Sequence, residues 1–465
     1  MASEEKNNDS GLARLGLKLS DWFEKWFPDA FALALAAVAV VFVATLFAGA
    51  SPLDSAQRFG AGFWDLITFT LQMSMIVVTG YAVATAPPVY RVIRALAAWP
   101  STGPGAAAYV GMFSMLTSLV SWSFSLIFSA LLAREIAHRV RGADYRAIGA
   151  AAYLGVGSVW ALGLSSSAAL IMASPSLPES VKSISGVLPL SQTLGLWQSL
   201  LIAASLILVS MAVAFYSAPS ATQARTMQDM GVTYTPATHD IGKRATPGEW
   251  LEYSPLLTIV LCVLGFGYLL REVIASGAAV LLQLDHYLFL FLVIGLLLHW
   301  RPKSFVQAIS ASVTPVGGVM IQYPMYAGIV KMLTESGLAK QIANFFVSIA
   351  NEHTYPVLVG IYSALLGVFI PSAGGKWIIE APYLLDAAKK LHVHLGWVVQ
   401  TYNATEALAN LIHPFWMLPL VGILGIKARD IVGYSMLQLV VHVPLVLLLV
   451  WLLNYTLQYV PPVLP

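Results

Sequence analysis

Two apolar stretches carry residues that could do chemistry. PSAGGKWIIEAP (371–382) holds Ser372, Gly374, Gly375, Lys376 and Glu380, and NATEALANLIHPFW (403–416) holds Asn403, Glu406, Asn410 and His413. An ionisable side chain at membrane depth costs about 2.5–3.5 kcal/mol on insertion scales, so it faces a partner or a cavity. Lys376 could meet a carboxylate ligand directly, pair with Glu380 one helical turn on or with Glu406, or snorkel toward the interface. Glu406 could carry a proton, because burial disfavours its charged form, or could serve in a salt bridge. Asn403 and Asn410 offer side-chain oxygens to Na+, or hydrogen bonds to a broken helix. His413, just before Pro414, reads as a satisfied core histidine rather than a ligand.

Two further stretches supply hydroxyls: SLVSWSFS (118–125), with Ser121, Trp122 and Ser123, and LGLSSSAAL (162–170), with Ser165 and Ser166. An anion leaving water needs donors, and hydroxyls together with backbone N–H groups at helix starts supply them. Gly374 and Gly375 would let the backbone approach such a ligand, and Trp122 and Trp377 could wall a short alkyl tail. Each serine could equally bond back to a carbonyl of its own helix, and Ser166 is also a candidate ligand for a cation.

The elements that must position these residues follow from composition. Hydrophobic residues make up 58% of the 465, charged residues 10%, and the mean hydropathy is +0.75. These values predict an all-α polytopic membrane protein in contact with a lipid bilayer, and no alternating strands suggest a barrel. The net charge of +2 comes from basic residues spread over loops, which excludes a nucleic-acid patch. Cys262, the single cysteine, excludes an internal disulfide and a cysteine metal site, so no metal is expected beyond Na+. No Walker-type loop points to ATP drive, and no cofactor is expected.

Residues 1–28 are too long and charged for a signal-peptide start, and the apolar run after them reads as an uncleaved span. Leu12, Leu15, Leu19, Trp22, Phe23 and Trp26 recur at helical spacing, which predicts an interfacial amphipathic helix in this cytoplasmic tail. Crossings are expected at about 29–48 and 62–85. The run 105–133 is uncharged between basic clusters, and a re-entrant hairpin keeps both clusters on the cytoplasmic side. A broken helix is expected at about 147–173 and a return at 188–216, closing a first repeat over 29–216. Residues 217–283 read as a cytoplasmic linker and a connector helix. A second repeat, 284–465, contains a crossing at 312–330 kinked at Pro315 and Pro324 and an outer amphipathic stretch from Lys331. A hairpin at about 353–385, a broken helix at about 395–426 and a last span complete it. The N-terminus is then cytoplasmic and the C-terminus periplasmic. MIVVTGY (75–81) matches MIQYPMY (320–326) at an offset of about 245 residues, and the order of elements repeats with reversed direction. Such inverted-topology repeats mark secondary transporters, with a site where broken helices meet.

PSAGGKWIIEAP, NATEALANLIHPFWMLP, SLVSWSFSL and LGLSSSAAL together resemble the bacterial short-chain fatty acid transporter family, which takes up acetoacetate, butyrate and related acids. The likeness covers nearly the whole chain. That family is grouped with ion-coupled transporters that include the sodium-coupled dicarboxylate carriers, homodimers whose hairpin-bearing transport domains slide like elevators against scaffold domains. The resemblance implies a short-chain monocarboxylate substrate, H+ or Na+ as coupling ion, a homodimer in the inner membrane and no enzyme activity. The dicarboxylate carriers place Ser-Asn-Thr at both tips, whereas this chain has Ser-Trp-Ser and Ala-Gly-Gly-Lys. Alternatives are a symporter of the same architecture for a dicarboxylate or an amino-acid conjugate, a channel, and a membrane-embedded serine hydrolase using His413. The hydrolase would lack the GxSxG elbow.

Overall fold

The computed structural model describes residues 10–65, 67–164, 166–174, 177–234, 236, 241–313, 316–370 and 373–463. Every regular element among the described residues is a helix. The chain opens with α1 (Gly11–Trp26), α2 (Ala30–Phe47), α3 (Pro52–Phe63), α4 (Ile67–Thr85) and α5 (Pro87–Leu96). Their starts are local: Ser10, Asp29 and Ser51 accept first-turn N–H groups, while Pro52 and Pro87 sit where no N–H is needed.

Helices α6 (Gly103–Val120) and α7 (Trp122–Arg139) fold back on each other about Ser121. Ser125 Oγ donates to Ser114 O at 2.7 Å, and the rings of Phe113 and Phe128 lie 6.5 Å apart, so residues either side of the tip are matched. An interrupted helix follows, built from α8 (Tyr145–Leu154), a π turn (Gly155–Val159), a 3-10 turn (Trp160–Leu162) and α9 (Ser167–Met172). Next come α10 (Glu179–Ser185), α11 (Trp197–Ser217), α12 (Trp250–Tyr253), α13 (Leu256–Ser276), α14 (Leu284–His299), α15 (Pro302–Ser312), α16 (Val316–Glu335) and α17 (Leu338–Ser348).

A second fold-back joins α18 (Tyr355–Gly367) to α19 (Ala373–Lys390), where Tyr355 Oη donates to Leu384 O at 2.5 Å. Helices α20 (Leu395–Asn410) and α21 (Pro414–Leu424) form a pair bent by 54°, and α22 (Ala428–Asn454) ends the fold. Among the described residues the order hairpin, interrupted helix, long helix therefore occurs twice. Six helices among them are long and apolar enough to cross a membrane, or up to eight if each bent pair is one span. At about 1.5 Å per residue a span of 20 residues covers the hydrocarbon core, so this is a multi-pass membrane protein.

Packing divides the helices into a group of α2–α4 with α13–α16 and a group of α1, α6–α11 and α18–α22. Aromatic rings form the seam between them: Tyr323 stacks on Phe415 at 3.6 Å, Tyr326 lies 5.3 Å from His413, and Phe124 lies 5.9 Å from Phe291. Helix α1 is docked on the second group through Ala13, Gly16, Ser20 and Phe23, leaving Leu15, Trp22 and Trp26 exposed. Its Glu24 meets Arg146 at 2.8 Å and Arg225 at 2.6 Å, and Arg146 also pairs with Asp144 at 2.9 Å. The polar linker is thereby laced to the helices rather than hanging free.

Several segments differ from expectation. The crossing expected from residue 62 divides, because α3 ends at Phe63 and α4 begins at Ile67. The return expected from residue 188 is α-helical only from Trp197, after the 3-10 turn Leu190–Gln192. The outer stretch expected from Lys331 starts inside α16, where Lys331 is held by Asp65 at 2.7 Å. Pro324 sits within that helix, and Pro315 lies outside the described residues.

Candidate functional site

The interruption after α8 is written in glycine. A Cβ on Gly155 would lie 2.4 Å from Ser114 O, and one on Gly163 would lie 2.2 Å from Leu119 O, so only glycine lets hairpin and broken helix meet backbone to backbone. The backbone groups freed by the break find new partners, as they must in lipid. Ser114 Oγ accepts from Gly155 N at 2.9 Å and donates to Ala152 O at 2.6 Å, and Leu164 N donates to Leu119 O at 2.7 Å. In the second break Pro414 lacks an N–H, and the carbonyl of Asn410 accepts from Tyr153 Oη at 2.6 Å. Asn410 Nδ2 reaches Val156 O at 3.4 Å, so the two breaks are bonded to each other.

Both hairpin tips arrive at the same place. Trp122, at the first tip, packs against a cluster of Trp160 and Ala161 from the first break, Ala373 from the second tip and Ala407 from α20. Trp122 also lies 6.4 Å from the Trp160 ring and 5.4 Å from the Trp416 ring. His413 caps α21 by accepting from Phe415 N at 3.2 Å and bonds Val368 O of the second tip at 2.9 Å. Helices α7, α19 and α21 thus all begin here, each presenting the positive end of its dipole. Around this point Trp160 Nε1, Trp416 Nε1 and Asn410 Oδ1 make no hydrogen bond among the described residues. The arrangement offers donors inside an apolar wall, which suits an anion carrying a short apolar tail.

Lys376 does not face the tip freely. It is 1% exposed, donates to Ser363 O at 2.7 Å, forms a buried ion pair with Glu406, and lies 4.9 Å from the Tyr402 ring centre. Of the roles open to Lys376, the structure displays the pair with Glu406. Glu380, also 1% exposed, shares this region with Lys376, Glu406 and Tyr362.

Among the other expected residues, Ser121 Oγ accepts from Phe124 N at 3.3 Å, starting α7, and lies 3.2 Å from Ser123 Oγ and 2.6 Å from Tyr287 Oη. Ser166 starts α9 by accepting from Ala169 N at 3.2 Å. Gly374 faces Ser167, 3.1 Å from where a Cβ would sit, and Gly375 is exposed. Asn403 stands apart from the breaks and donates to Gln400 Oε1 at 2.7 Å. Ser165 and Ser372 lie outside the described residues. Trp122 and Trp377 do not form one wall: Trp377 is buried in a different core, 4.7 Å from the Tyr402 ring. Sequence reasoning missed Tyr287, Trp160 and Ser363. A tryptophan between the glycines of the first break was the available signal for Trp160.

Fold and centre together define a multi-pass helical membrane protein built around broken helices and hairpin tips. The sequence profile described as "Short chain fatty acid transporter" matches residues 11–453, and the chain belongs to that family. A relative in Escherichia coli (strain K12), provisionally named a short-chain fatty acid transporter, is 33% identical over 430 residues, covering 92% of this chain and 97% of the relative. Another in Haemophilus influenzae, named likewise, is 30% identical over 442 residues, covering 93% and 98%. Among solved structures, the Alcanivorax borkumensis YdaH transporter aligns over 92% of this chain and 98% of its own, at 15% identity and a TM-score of 0.45. Neisseria gonorrhoeae MtrF aligns over 93% and 97%, at 13% identity and a TM-score of 0.42. Likeness at that level is too loose to carry function.

Proposed function

We propose that this chain is a secondary transporter of the bacterial inner membrane that takes up short-chain fatty acids such as butyrate and acetoacetate by symport with H+ or Na+. The observation that carries the reading is the meeting of the α7, α19 and α21 starts beside Trp122, Trp160 and Trp416. A helix start contributes about 0.3–1 kcal/mol toward an anion, and up to about 2 kcal/mol in partly buried geometry, so several together favour a carboxylate without a dedicated free cation. The indole walls suit a short alkyl tail.

In this reading the group of α6–α9 and α18–α21 is the transport domain, and α2–α4 with α13–α16 form the scaffold. The repeats are inverted, both hairpins are re-entrant, and the domain moves as an elevator past the aromatic seam. The N-terminus is cytoplasmic and the C-terminus periplasmic. Resemblance to homodimeric carriers supports a dimer, which mass measurement in detergent tests. The functional test is uptake of radiolabelled butyrate and acetoacetate into proteoliposomes with Na+ and pH gradients imposed separately. Gradient-driven accumulation of either acid is expected; its absence under both gradients would overturn the reading.

A further inference from the structure

Lys376, Glu406 and Glu380 bring one ammonium and two carboxylates into the same buried region, each side chain 1% exposed, within the span of broken and hairpin helices, with the ion pair formed by Lys376 and Glu406. Glu406 already holds the Lys376 ammonium, whose remaining donors go to Ser363 O and toward the Tyr402 ring. Among the described residues no salt bridge reaches Glu380, and the groups beside it are Lys376, Glu406, Tyr362 and Tyr383. Ionised, Glu380 has only the ammonium that Glu406 already holds to balance it, so a further negative charge nearby is enough to drive it to the neutral acid.

We propose that Glu380 is the coupling-proton site, which takes up one proton as the carboxylate substrate binds and releases it on the other side; this rests on the transport reading above. The balance is simple. The Glu380 carboxylate and a proton become a carboxyl group, the substrate stays an anion, and the loaded and empty sites carry the same net charge. The coupling is electrostatic. Glu380 lies six residues along α19 from Gly374, about 9 Å by helical rise, so a substrate anion at the tip makes an ionised Glu380 still less favourable. By linkage, proton and substrate then tighten each other's binding.

The surroundings favour a proton over Na+. Facing Glu380 are phenols from α18 (Tyr362), α19 (Tyr383) and α20 (Tyr402), the Lys376 ammonium and the Glu406 carboxylate. Glu179 and Lys182 of α10 and Lys340 of α17, helices that also pack on α19, do not bear on it. An adjacent ammonium opposes a metal cation.

The experiment uses full-length protein in proteoliposomes, radiolabelled acetoacetate and butyrate, and protein-free liposomes as the blank for passive entry of neutral acid. With one-to-one coupling, a gradient of one pH unit supports about tenfold accumulation, the same limit that passive neutral acid approaches slowly in the blank, so the readout throughout is the initial rate above the blank. Glu380→Gln should fall to the blank, any substrate exchange it retains should not vary with pH, and Glu380→Asp, which restores a titratable group, should recover pH-driven accumulation. In detergent at alkaline pH, where the empty site is ionised, a pH dye should report one proton taken up per butyrate bound by the wild type. Accumulation by Glu380→Gln equal to the wild type, no recovery in a folded Glu380→Asp, or no proton uptake by the wild type would each sink the proposal. Wild-type accumulation driven by Na+ alone would also sink it while leaving transport intact. Failure of the wild type under both gradients would instead bring down the transport reading.

Discussion

At the scale of single residues, the centre is held by contacts that tolerate little change. Truncating one member of a buried ion pair costs about 3–5 kcal/mol, because the other charge is left uncompensated. Lys376→Met should therefore lower the melting temperature of the detergent-solubilised protein sharply, while the double variant Lys376→Met/Glu406→Gln should recover much of the loss. If the single and double variants melt alike, Lys376 and Glu406 are not coupled. Gly163→Ala drives a methyl group into the Leu119 carbonyl and should cost about 1–3 kcal/mol by overpacking, read as a lower melting temperature with reduced uptake. The charged, glycine and proline residues of this centre were legible in the sequence because such types are anomalous in apolar runs. Tyr287 was not, since a tyrosine in a membrane helix is ordinary by type, and its contact with Ser121 spans 166 residues of sequence.

Helix ends decide which elements form and where they stop. The α20 start depends on His394, whose Nδ1 accepts from Trp397 N at 3.1 Å and can do so only while that nitrogen is unprotonated. Burial lowers the His394 pKa below the ordinary histidine value of 6.5. A depressed folded value means the unfolded chain binds the proton more readily. The cap's contribution, about 1 kcal/mol, is thus present above that ordinary value and lost as pH falls through the depressed one. Thermal melts across acid pH should show this loss in the wild type and not at this step in His394→Asn, which caps without titrating. Hairpins and breaks were legible as elements because serine, glycine and proline interrupt otherwise uniform hydrophobicity. The crossing expected from residue 62 was harder, because Gly62 and Phe63 look as apolar as the helix beyond them, and the division at residues 64–65 leaves no charge run to mark it.

For the whole molecule, the seam between the two helix groups is ring on ring, with Tyr323, Phe415, Phe124 and Phe291 as its surfaces. These ring contacts have no directional bonds to break and suit sliding, whereas the Ser121–Tyr287 hydrogen bond between the same two groups must part if they slide. Cysteines at Phe124 and Phe291 in a Cys262→Ala background should be bridged by a short disulfide-containing bifunctional thiol reagent, stopping uptake until reductant is added. Full uptake by the crosslinked protein would exclude relative motion at this point. Such motion is also limited by tether length. Helix α1 belongs to the second group and α2 to the first, and only Phe27, Pro28 and Asp29 join them. Three residues drawn straight reach about 10 Å, and less than that is left beyond their present span. If the two groups slide as proposed, any longer stroke must unwind the end of α1 or carry α2 along, so this leash is one limit on the motion.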